Sequence, residues 1–378
     1  MLLVSQPVLG SEEKAALCEV IDSGWITMGD KVRQFEATFA ALHEAEDSVA
    51  VASCTAALHL ILHALNIGPG DEVLVPSLTF VATANCVLYV GADPVFVDIE
   101  SLDVPLLSLE DAEAKCTSRT KAVILMHYAG YLASRDAWQA FARRKGLLLI
   151  EDAAHAPGRP EVGSYGIAAA FSFYGNKNMT TAEGGAVIAR DRGLLENIRQ
   201  MRGHGMTSGT RQRFASRNPN YDVTMLGFNY RMDEFRAAVG LVQLKSLKQW
   251  NDKRSRLAAR YRRRIAEHCP SVRVPFSQPA SSAHHIMPIL VPESGMRTVV
   301  IDRLTNFGVQ TTIHYPPVHR LTYLQERCKD TVLPITDEFA SRELTLPLHP
   351  KLEDETVDAV VERLATSIGS SERGLAAE

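Results

Sequence analysis

The segment Leu147-Leu148-Leu149-Ile150-Glu151-Asp152 gives the clearest indication of the fold. Its first four residues are all apolar, without the alternation expected of a strand that has one face in water. Such a run is typical of a strand buried on both faces of a mainly parallel sheet. Two carboxylates directly after it would be costly to bury without partners, so the end of this strand is a candidate polar site.

Six further short apolar runs alternate with helical or loop segments around this strand. The predicted strands are residues 48–53, 72–76, 94–99, 122–128, 147–153, 168–174 and 185–190. The alternation favours an α/β domain with a doubly wound, mainly parallel sheet of seven strands. Ligands of such sheets bind outside the carboxyl ends of the strands. The polar residues that follow each strand are therefore the candidates for function.

One lysine, Lys177, lies in the segment Tyr174-Gly175-Asn176-Lys177-Asn178, between the sixth and seventh predicted strands. A lysine on a tight loop between buried strands cannot easily place its ammonium in bulk water. Partial desolvation lowers the pKa of the amine and makes it a usable nucleophile, as a Schiff-base lysine requires. The loop alone fits a surface lysine on a turn equally well.

The first two strands end in residues that suit a phosphate and a flat ring. Ser53-Cys54-Thr55-Ala56 leads directly into a helix, where small and hydroxyl residues leave backbone N–H groups free to bind phosphate. Plain N-capping by Ser53 or Thr55 is the alternative. Phe80 follows the second strand and is placed to cover a cofactor ring, although an isolated phenylalanine is more often a core residue.

The fifth and sixth strands add an acid and further polar groups. Asp152 is placed to hold the protonated nitrogen of a pyridine ring, and His155 to orient it or contact the phenolic oxygen of that ring. Ser172 is a hydroxyl close to the lysine loop. A lysine, an acid partner for the ring nitrogen and an anchored phosphate are what pyridoxal phosphate (PLP) requires. Together these strand ends predict a PLP pocket.

Composition narrows the class of protein. The 378 residues carry a net charge of -4 and a pI near 6.3, which argues against a nucleic-acid partner. No run approaches the ~20 apolar residues of a membrane span. The six cysteines show neither C-x-x-C nor zinc spacing, which predicts free thiols, no metal site and a cytoplasmic location. The absence of G-x-G-x-x-G after any strand argues against a dinucleotide-binding dehydrogenase.

Proline, serine and alanine cluster around residues 270–282 and indicate the entry into a second unit. We predict a large domain at residues 1–250 and a smaller α+β domain at 251–378, with strands at 286–291 and 310–313. In the smaller domain, Pro316 and Pro317 should fix an extended turn in His314-Tyr315-Pro316-Pro317-Val318-His319. That turn would present Tyr315 and His319 at a pocket wall.

The sequence resembles the DegT/DnrJ/EryC1/StrS family of PLP-dependent sugar aminotransferases over nearly its whole length. The segments that carry the resemblance follow the order of the family: Ser23-Gly24-Trp25-Ile26-Thr27-Met28-Gly29, Thr55-Ala56-Ala57-Leu58-His59, Gly68-Pro69-Gly70-Asp71-Glu72-Val73, Thr79-Phe80-Val81-Ala82-Thr83, Glu151-Asp152-Ala153-Ala154-His155, Phe171-Ser172-Phe173 with Lys177, Gly184-Gly185, and Asn229-Tyr230-Arg231-Met232. The resemblance implies the aspartate-aminotransferase-like fold (PLP fold type I) and a homodimer with active sites at the subunit interface.

The resemblance also implies a role for each matching residue. Lys177 would form the Schiff base and move protons, Asp152 would pair with the pyridinium nitrogen and Phe80 would stack on the ring. His155 would stand beside the cofactor. The residues implied to hold the phosphate are Thr55, Ala56 and Ser172, with Asn229 of the partner subunit. The residues implied or expected to approach the substrate are Arg231, Tyr315, His319 and Tyr174.

The function implied is transfer of an amino group from glutamate or glutamine to a keto-sugar, most commonly a nucleotide-linked one. An unlinked or phosphorylated keto-sugar or keto-cyclitol is the alternative acceptor. A PLP-dependent sugar dehydratase is disfavoured because those relatives replace the lysine with histidine. A non-catalytic regulator is disfavoured because Lys177, Asp152 and Ser172 are all present.

Three positions depart from the usual pattern of the family. Cys54 replaces the glycine of the Ser-Gly-Thr motif that is frequent in the family, and its small thiol should leave the phosphate site intact. Ala182 replaces a frequent glycine, which matters only if its φ is positive. Asn176 precedes the lysine where threonine is common, and could reflect a different substrate group. Arginines at 211, 213 and 217, in a predicted loop at 207–221, would suit a substrate phosphate with either acceptor.

Overall fold

The computed structural model of the chain describes residues 1–208, 220–278 and 281–375. Its larger sheet has seven strands, as predicted. They are β1 (Ser48–Val51), β2 (Glu72–Pro76), β3 (Asp93–Val97), β4 (Thr120–Met126), β5 (Leu148–Asp152), β6 (Ala168–Ser172) and β7 (Gly185–Ala189). Their spatial order is β1-β7-β6-β5-β4-β2-β3.

The helices pack on both faces of this sheet and around a second, two-stranded one. In chain order they are α1 (Ser11–Ser23), α2 (Asp30–Leu42), α3 (Cys54–Ala64), α4 (Ala82–Tyr89), α5 (Leu109–Lys115), α6 (Arg135–Lys145), α7 (Arg192–Met201), α8 (Glu234–His268), α9 (Met296–Asn306), α10 (Thr322–Gln325), α11 (Pro334–Arg342) and α12 (Asp354–Leu375). No helix within the described ranges is long and apolar enough to cross a lipid bilayer. All six cysteines are unpaired, as their spacing predicts.

The direction of the strands decides where a site can form. The pairs β2–β3, β2–β4, β4–β5 and β5–β6 are parallel, and β7 runs antiparallel to both β6 and β1. The carboxyl ends of six strands therefore meet at one edge of the sheet, together with the first residue of β7. Leu149 and Ile150 in the middle of β5 are buried on opposite faces, which confirms the interpretation of the apolar run.

The N-terminal part of the chain is fixed to α8 by a buried carboxylate. Glu234, the first residue of α8, accepts hydrogen bonds from the backbone N–H groups of Gly29 (2.8 Å), Lys31 (2.9 Å) and Val32 (2.9 Å). These groups lie at the start of α2, where backbone N–H groups have no intrahelical partner and a negative charge is favourable. The loop before α2 is thereby anchored to the start of α8.

The C-terminal part has its own core around the antiparallel pair β8 (Met287–Leu290) and β9 (Glu343–Leu346). The strand predicted at 310–313 is wrong, because that segment bridges β9 only at Thr312, opposite Thr345. Helix α8 contributes to both cores over its 35 residues. The domain boundary predicted at residue 250 falls inside this helix and stays a prediction.

Candidate active site

The edge formed by the strand ends brings together residues that are far apart in the sequence. Thr55 follows β1, Phe80 follows β2, Asp152 ends β5 and Ser172 ends β6. Ser172 and Val51 both pair with Gly185, the first residue of β7, so β1, β7 and β6 end in one row. The rule for parallel sheets placed these residues correctly at a common edge.

Lys177 lies in the connection between β6 and β7, which is held by its own backbone. The Thr181 N–H donates to the Phe173 carbonyl, and the Phe173 N–H donates to the Gly184 carbonyl, both at 2.9 Å. The half-buried Lys177 side chain is desolvated, which lowers the pKa of its amine to about 8, although Asp152 and Cys54 act in the opposite direction. The amine is therefore much easier to deprotonate than that of a solvated lysine.

Asp152 is buried at the end of β5, and burial raises the pKa of its carboxyl group. Its Oδ2 accepts a hydrogen bond from the Thr83 hydroxyl (2.8 Å), which is 2.7 Å from the Thr79 hydroxyl. The backbone N–H of Ala154 donates to Oδ1 (3.2 Å). Thr83 is a positioning residue that the sequence analysis did not identify. It lies in the first turn of α4, four residues after Thr79, and this spacing could have indicated that the two hydroxyls lie close together.

The N-terminus of α3 faces the same edge. Ser53 caps the helix, since its hydroxyl accepts from the Ala56 N–H (3.1 Å). The N–H groups of Cys54 and Thr55 in the first turn have no intrahelical acceptor, as is general for a helix start. Of the two alternatives for this motif, capping by Ser53 is present, and it leaves the Cys54 and Thr55 N–H groups for an anion.

Gly185 allows β7 to approach this helix start closely. A Cβ atom at Gly185 would lie 2.5 Å from the Ser53 carbonyl carbon and 2.6 Å from the Cys54 nitrogen, both backbone atoms. Gly185→Ala should therefore displace the start of α3, weaken PLP binding at least about tenfold and destabilise the fold by about 1–3 kcal/mol. Equilibrium PLP titration and urea unfolding measure the two effects.

Gly175→Ala is the matched control for that substitution, because a Cβ at Gly175 meets no atom within 4 Å. Gly175 lies in the loop that carries Lys177, and the substitution should change neither PLP affinity nor stability appreciably. Equal effects of both substitutions would contradict the steric argument.

His155 and Tyr315 form a second buried group at the edge. The Ala129 N–H donates to His155 Nδ1 (3.2 Å), and His155 Nε2 lies 2.8 Å from the Tyr315 hydroxyl oxygen. Burial lowers the pKa of His155 well below its usual range, so the ring is neutral. Since Nδ1 accepts, Nε2 carries the hydrogen and donates to Tyr315, and the hydroxyl hydrogen of Tyr315 is left for another acceptor. Tyr315 is also close to Phe80, with 6.1 Å between ring centroids.

The remaining substrate candidates are placed less favourably. His319 is buried, with its Nδ1 2.7 Å from the Ser77 hydroxyl and its Nε2 3.4 Å from Asp337. These contacts fix the turn after the prolines, and we propose no substrate role for His319. Tyr174 is exposed, and the backbone of Arg231 pairs with Val51 at the end of β1. Asn229, which was predicted to reach the phosphate of the partner subunit, is exposed. The arginines at 211, 213 and 217 lie outside the described residues.

One cavity, of about 1020 Å³, does not contain the predicted site. It is lined by side chains such as His43, Arg159 and Lys248 on another part of the large domain, and by none of the predicted site residues. The assignment of the active site to the strand-end edge therefore depends on the chemistry of its residues and not on cavity volume. Among the described residues, no group of three or more histidine, cysteine or acidic side chains is arranged to hold a metal ion.

Comparison with known proteins agrees with this geometry. The sequence profile of the DegT/DnrJ/EryC1/StrS aminotransferase family matches residues 7–365. The chain belongs to this family. It is 38% identical over 372 residues to the spore coat polysaccharide biosynthesis protein SpsC of Bacillus subtilis (strain 168), covering 95% of each chain.

Two solved structures of similar chains show the same fold. DesV of S. venezuelae, in complex with a ketimine intermediate, is 35% identical with a TM-score of 0.86 and 94% of each chain covered. NtdA of Bacillus subtilis, with bound cofactor PMP, is 30% identical with a TM-score of 0.86, covering 95% of this chain and 81% of the other. The fold is that of the type I PLP enzymes, and this member of the family is a PLP-dependent aminotransferase.

The residues at the edge fit PLP. Because Gly185 has no side chain, β7 approaches the start of α3 closely, where free backbone N–H groups can bind a phosphate. Thr55 and Ser172 lie at the same strand-end edge. Asp152 offers a buried carboxylate for the ring nitrogen, Phe80 an aromatic face that is 58% exposed, and Lys177 an amine of lowered pKa. Ala56 would contribute less than expected, because its N–H is already bonded to Ser53.

Ala182 answers one question that the sequence left open. Its φ is +67°, in the left-handed region where an alanine costs about 1–2 kcal/mol, and its side chain is exposed. Ala182→Gly should therefore stabilise this aminotransferase by about 0.5 kcal/mol, net of the greater freedom of glycine in the unfolded chain. Urea unfolding measures the change. Ala15→Gly, at an exposed position inside α1, is the control and should lose about 1 kcal/mol.

Proposed function

We propose that this aminotransferase moves an amino group from glutamate or glutamine to a keto-sugar that is linked to a nucleotide. The observation that carries the proposal is a lysine amine of lowered pKa at the strand-end edge, close enough to a buried aspartate to be influenced by its charge. The similarity to SpsC, named for polysaccharide biosynthesis, supports a sugar as the acceptor.

The roles of the chain's residues follow from their positions. PLP supplies the electron sink of the reaction when it is bound. Lys177 would hold the cofactor and, once its amine is free, carry the proton between the substrate carbon and the cofactor carbon that it had occupied. Asp152 would keep a proton on the ring nitrogen, and the Thr83 hydroxyl orients that carboxylate. Tyr315, oriented by His155, would donate its hydroxyl hydrogen to an oxygen in the pocket.

The assembly we propose is a homodimer in which each site is completed by its neighbour. Asn229 is exposed, and its backbone pairs with Gly203 at the surface. Asn229 of the partner subunit would then join Thr55 and Ser172 at the phosphate. The free cysteines support a reducing, cytoplasmic environment.

The test is a panel of keto-sugar nucleotides, phosphorylated keto-sugars and keto-cyclitols, each with glutamate and with glutamine as donor. The purified protein should be yellow with bound PLP, and mass spectrometry should detect an aminated sugar nucleotide. Turnover of keto-cyclitols or unlinked sugars alone would replace the nucleotide-linked acceptor with the alternative. A colourless protein that takes up no PLP would overturn the aminotransferase role.

A further inference from the structure

Two buried polar side chains, Glu343 and Thr345, and the half-buried side chain of His314 form a cluster to which the sequence assigned no role. Glu343 and Thr345 are two residues apart on β9, so their side chains point to the same face of the strand. Thr312 pairs with Thr345 by two backbone hydrogen bonds, which brings His314 opposite Glu343. The local register therefore places these three side chains together.

The three side chains form a continuous chain of hydrogen bonds. His314 Nδ1 lies 2.8 Å from the Thr345 hydroxyl oxygen, which lies 2.6 Å from Glu343 Oε1. The other carboxyl oxygen of Glu343 is occupied, since it accepts from the backbone N–H of His314 (2.8 Å). A proton on Glu343 is therefore carried by Oε1, the atom that faces Thr345.

His314 and Thr345 line a cavity that reaches the lysine loop at Asn176. The cavity has a volume of about 140 Å³, and its polar lining includes Ser5, Asn176, His285 and His314. Asn176 is the residue before Lys177, and Lys177 is close enough to lower the pKa of His314 by its charge. Since Nδ1 of His314 is held by Thr345, Nε2 is the atom that can meet a ligand in the cavity.

We propose that His314, Thr345 and Glu343 form a proton relay between the cavity beside Lys177 and a buried carboxyl group. When Glu343 is ionised, a proton arriving at His314 Nε2 releases the Nδ1 proton to the Thr345 oxygen. The hydroxyl proton of Thr345 passes to Glu343 Oε1. Each bond that breaks is replaced by a new one, and the imidazole ends neutral with its hydrogen on Nε2. The reverse sequence returns the proton to the cavity.

Burial supports exchange through the ring rather than storage on it. Desolvation, and after it the charge of Lys177, lowers the pKa of His314 to about 3, so a doubly protonated ring is unfavourable. Desolvation raises the pKa of Glu343 from 4.5 to about 8, against the opposing effects of Thr345, the His314 N–H and Arg297. The carboxyl group thus exchanges its proton near neutral pH, where acid–base groups are most effective.

The titratable groups around the relay do not reverse the pKa shifts of His314 and Glu343. Tyr128 and Tyr315 face Glu343, and burial raises the pKa of both phenols, so they stay neutral. His155 and His285 are close to His314, and burial keeps both rings neutral. The charged groups that act on the relay are Arg297 at Glu343 and Lys177 at His314.

The relay would serve the amino donor, and this use of it rests on the proposed function. Glutamate or glutamine arrives with an ammonium group, which must lose a proton before its nitrogen can act as a nucleophile. Glu343 would receive that proton through Thr345 and His314. Glu343 and Thr345 are positioning residues here, because they act through His314.

The first test uses the protein without substrate, so it does not depend on the proposed function. Nitrogen-15 NMR of histidine-labelled protein should show His314 passing from the Nε2–H to the Nδ1–H form as the pH rises through about 8. In Glu343→Gln the side-chain NH₂ donates to Thr345, so His314 should keep Nε2–H from pH 6 to 10. A wild-type His314 that keeps one form over that range would overturn the relay.

The same variant should fold, which keeps the test informative. The raised pKa of Glu343 means that its contribution to stability is full below about pH 4.5 and is lost as the pH rises through about 8. Glu343→Gln removes this loss, so the variant should be at least as stable as the wild-type protein above pH 8.

The second test follows the reaction of the PLP-loaded protein with amino donor alone, by stopped-flow absorbance. Thr345→Val removes the hydroxyl and should slow this step at least about tenfold, with loss of its pH dependence near 8. Thr345→Ser restores the hydroxyl and should recover most of the rate and the pH dependence. Thr305→Val, at an exposed position on α9, is the control for a threonine-to-valine change.

Equal rates for Thr345→Val and Thr345→Ser would overturn the relay while leaving the aminotransferase assignment intact. A wild-type protein that reacts with neither glutamate nor glutamine would instead contradict the proposed donors, and the NMR result would still decide whether the relay exists.

Discussion

Lys177→Ala should bind PLP without forming a Schiff base and should lose at least about 10⁴-fold in kcat. The substitution removes both the amine that holds the cofactor and the base that moves the proton. The visible absorption band of the Schiff base should be absent, and borohydride reduction followed by peptide mapping should label Lys177 in the wild-type protein only. Steady-state rates on an accepted substrate pair give the kinetic effect.

Lys248→Ala is the control, since Lys248 is an exposed lysine on α8 that pairs only with Asp252 at the surface. It should keep the absorption band and the rate. Borohydride labelling of a lysine other than Lys177 would show that the loop does not carry the Schiff base.

Asp152→Asn should lower the rate of the amino-donor half-reaction about 10³-fold while leaving the fold intact. The amide keeps an oxygen that can accept from Thr83, but it cannot supply the negative charge that holds a proton on the ring nitrogen. Stopped-flow absorbance with glutamate or glutamine measures the rate, and urea unfolding measures stability. Because the buried carboxylate is costly in the absence of cofactor, the variant without PLP should be no less stable than the wild-type protein.

Thr83→Val is the companion variant, because it removes the hydrogen bond to Asp152 but keeps the carboxylate. Its half-reaction should slow by about tenfold or less. A loss as large as that of Asp152→Asn would mean that orientation, and not charge, is the main contribution of this pair.

The strand-end residues could be predicted because a parallel sheet converts sequence order into spatial neighbourhood. Asp152 and Ser172 could be placed from the knowledge that each stands at the end of a buried strand, and Lys177 from the knowledge that its loop joins two such strands. The desolvation that lowers the pKa of Lys177 follows from the same burial. This part of the site depends on local pattern and on one rule of topology.

The other contacts depend on pairings across long stretches of chain, which no local pattern specifies. His155 meets Tyr315 across 160 residues, and Ser77 meets His319 across 242. His319 was therefore expected at the pocket wall, whereas the structure buries it against Ser77 and Asp337. The strand at Glu343–Leu346 was missed for a similar reason, because its alternation is short and its partner β8 lies more than fifty residues earlier.

Helix α8 limits how this protein could be divided. Leu244 and Leu247 pack into the core under the large sheet, whereas Leu257 and Tyr261, further along the same uninterrupted helix, pack into the core around β8 and β9. A fragment ending at residue 250 would keep only the first half of the helix and would lack the core around β8 and β9. The complementary fragment would begin in the middle of the helix, at an end that frays. Swapping the C-terminal half between relatives should therefore succeed only at junctions outside residues 234–268, where no shared helix is cut.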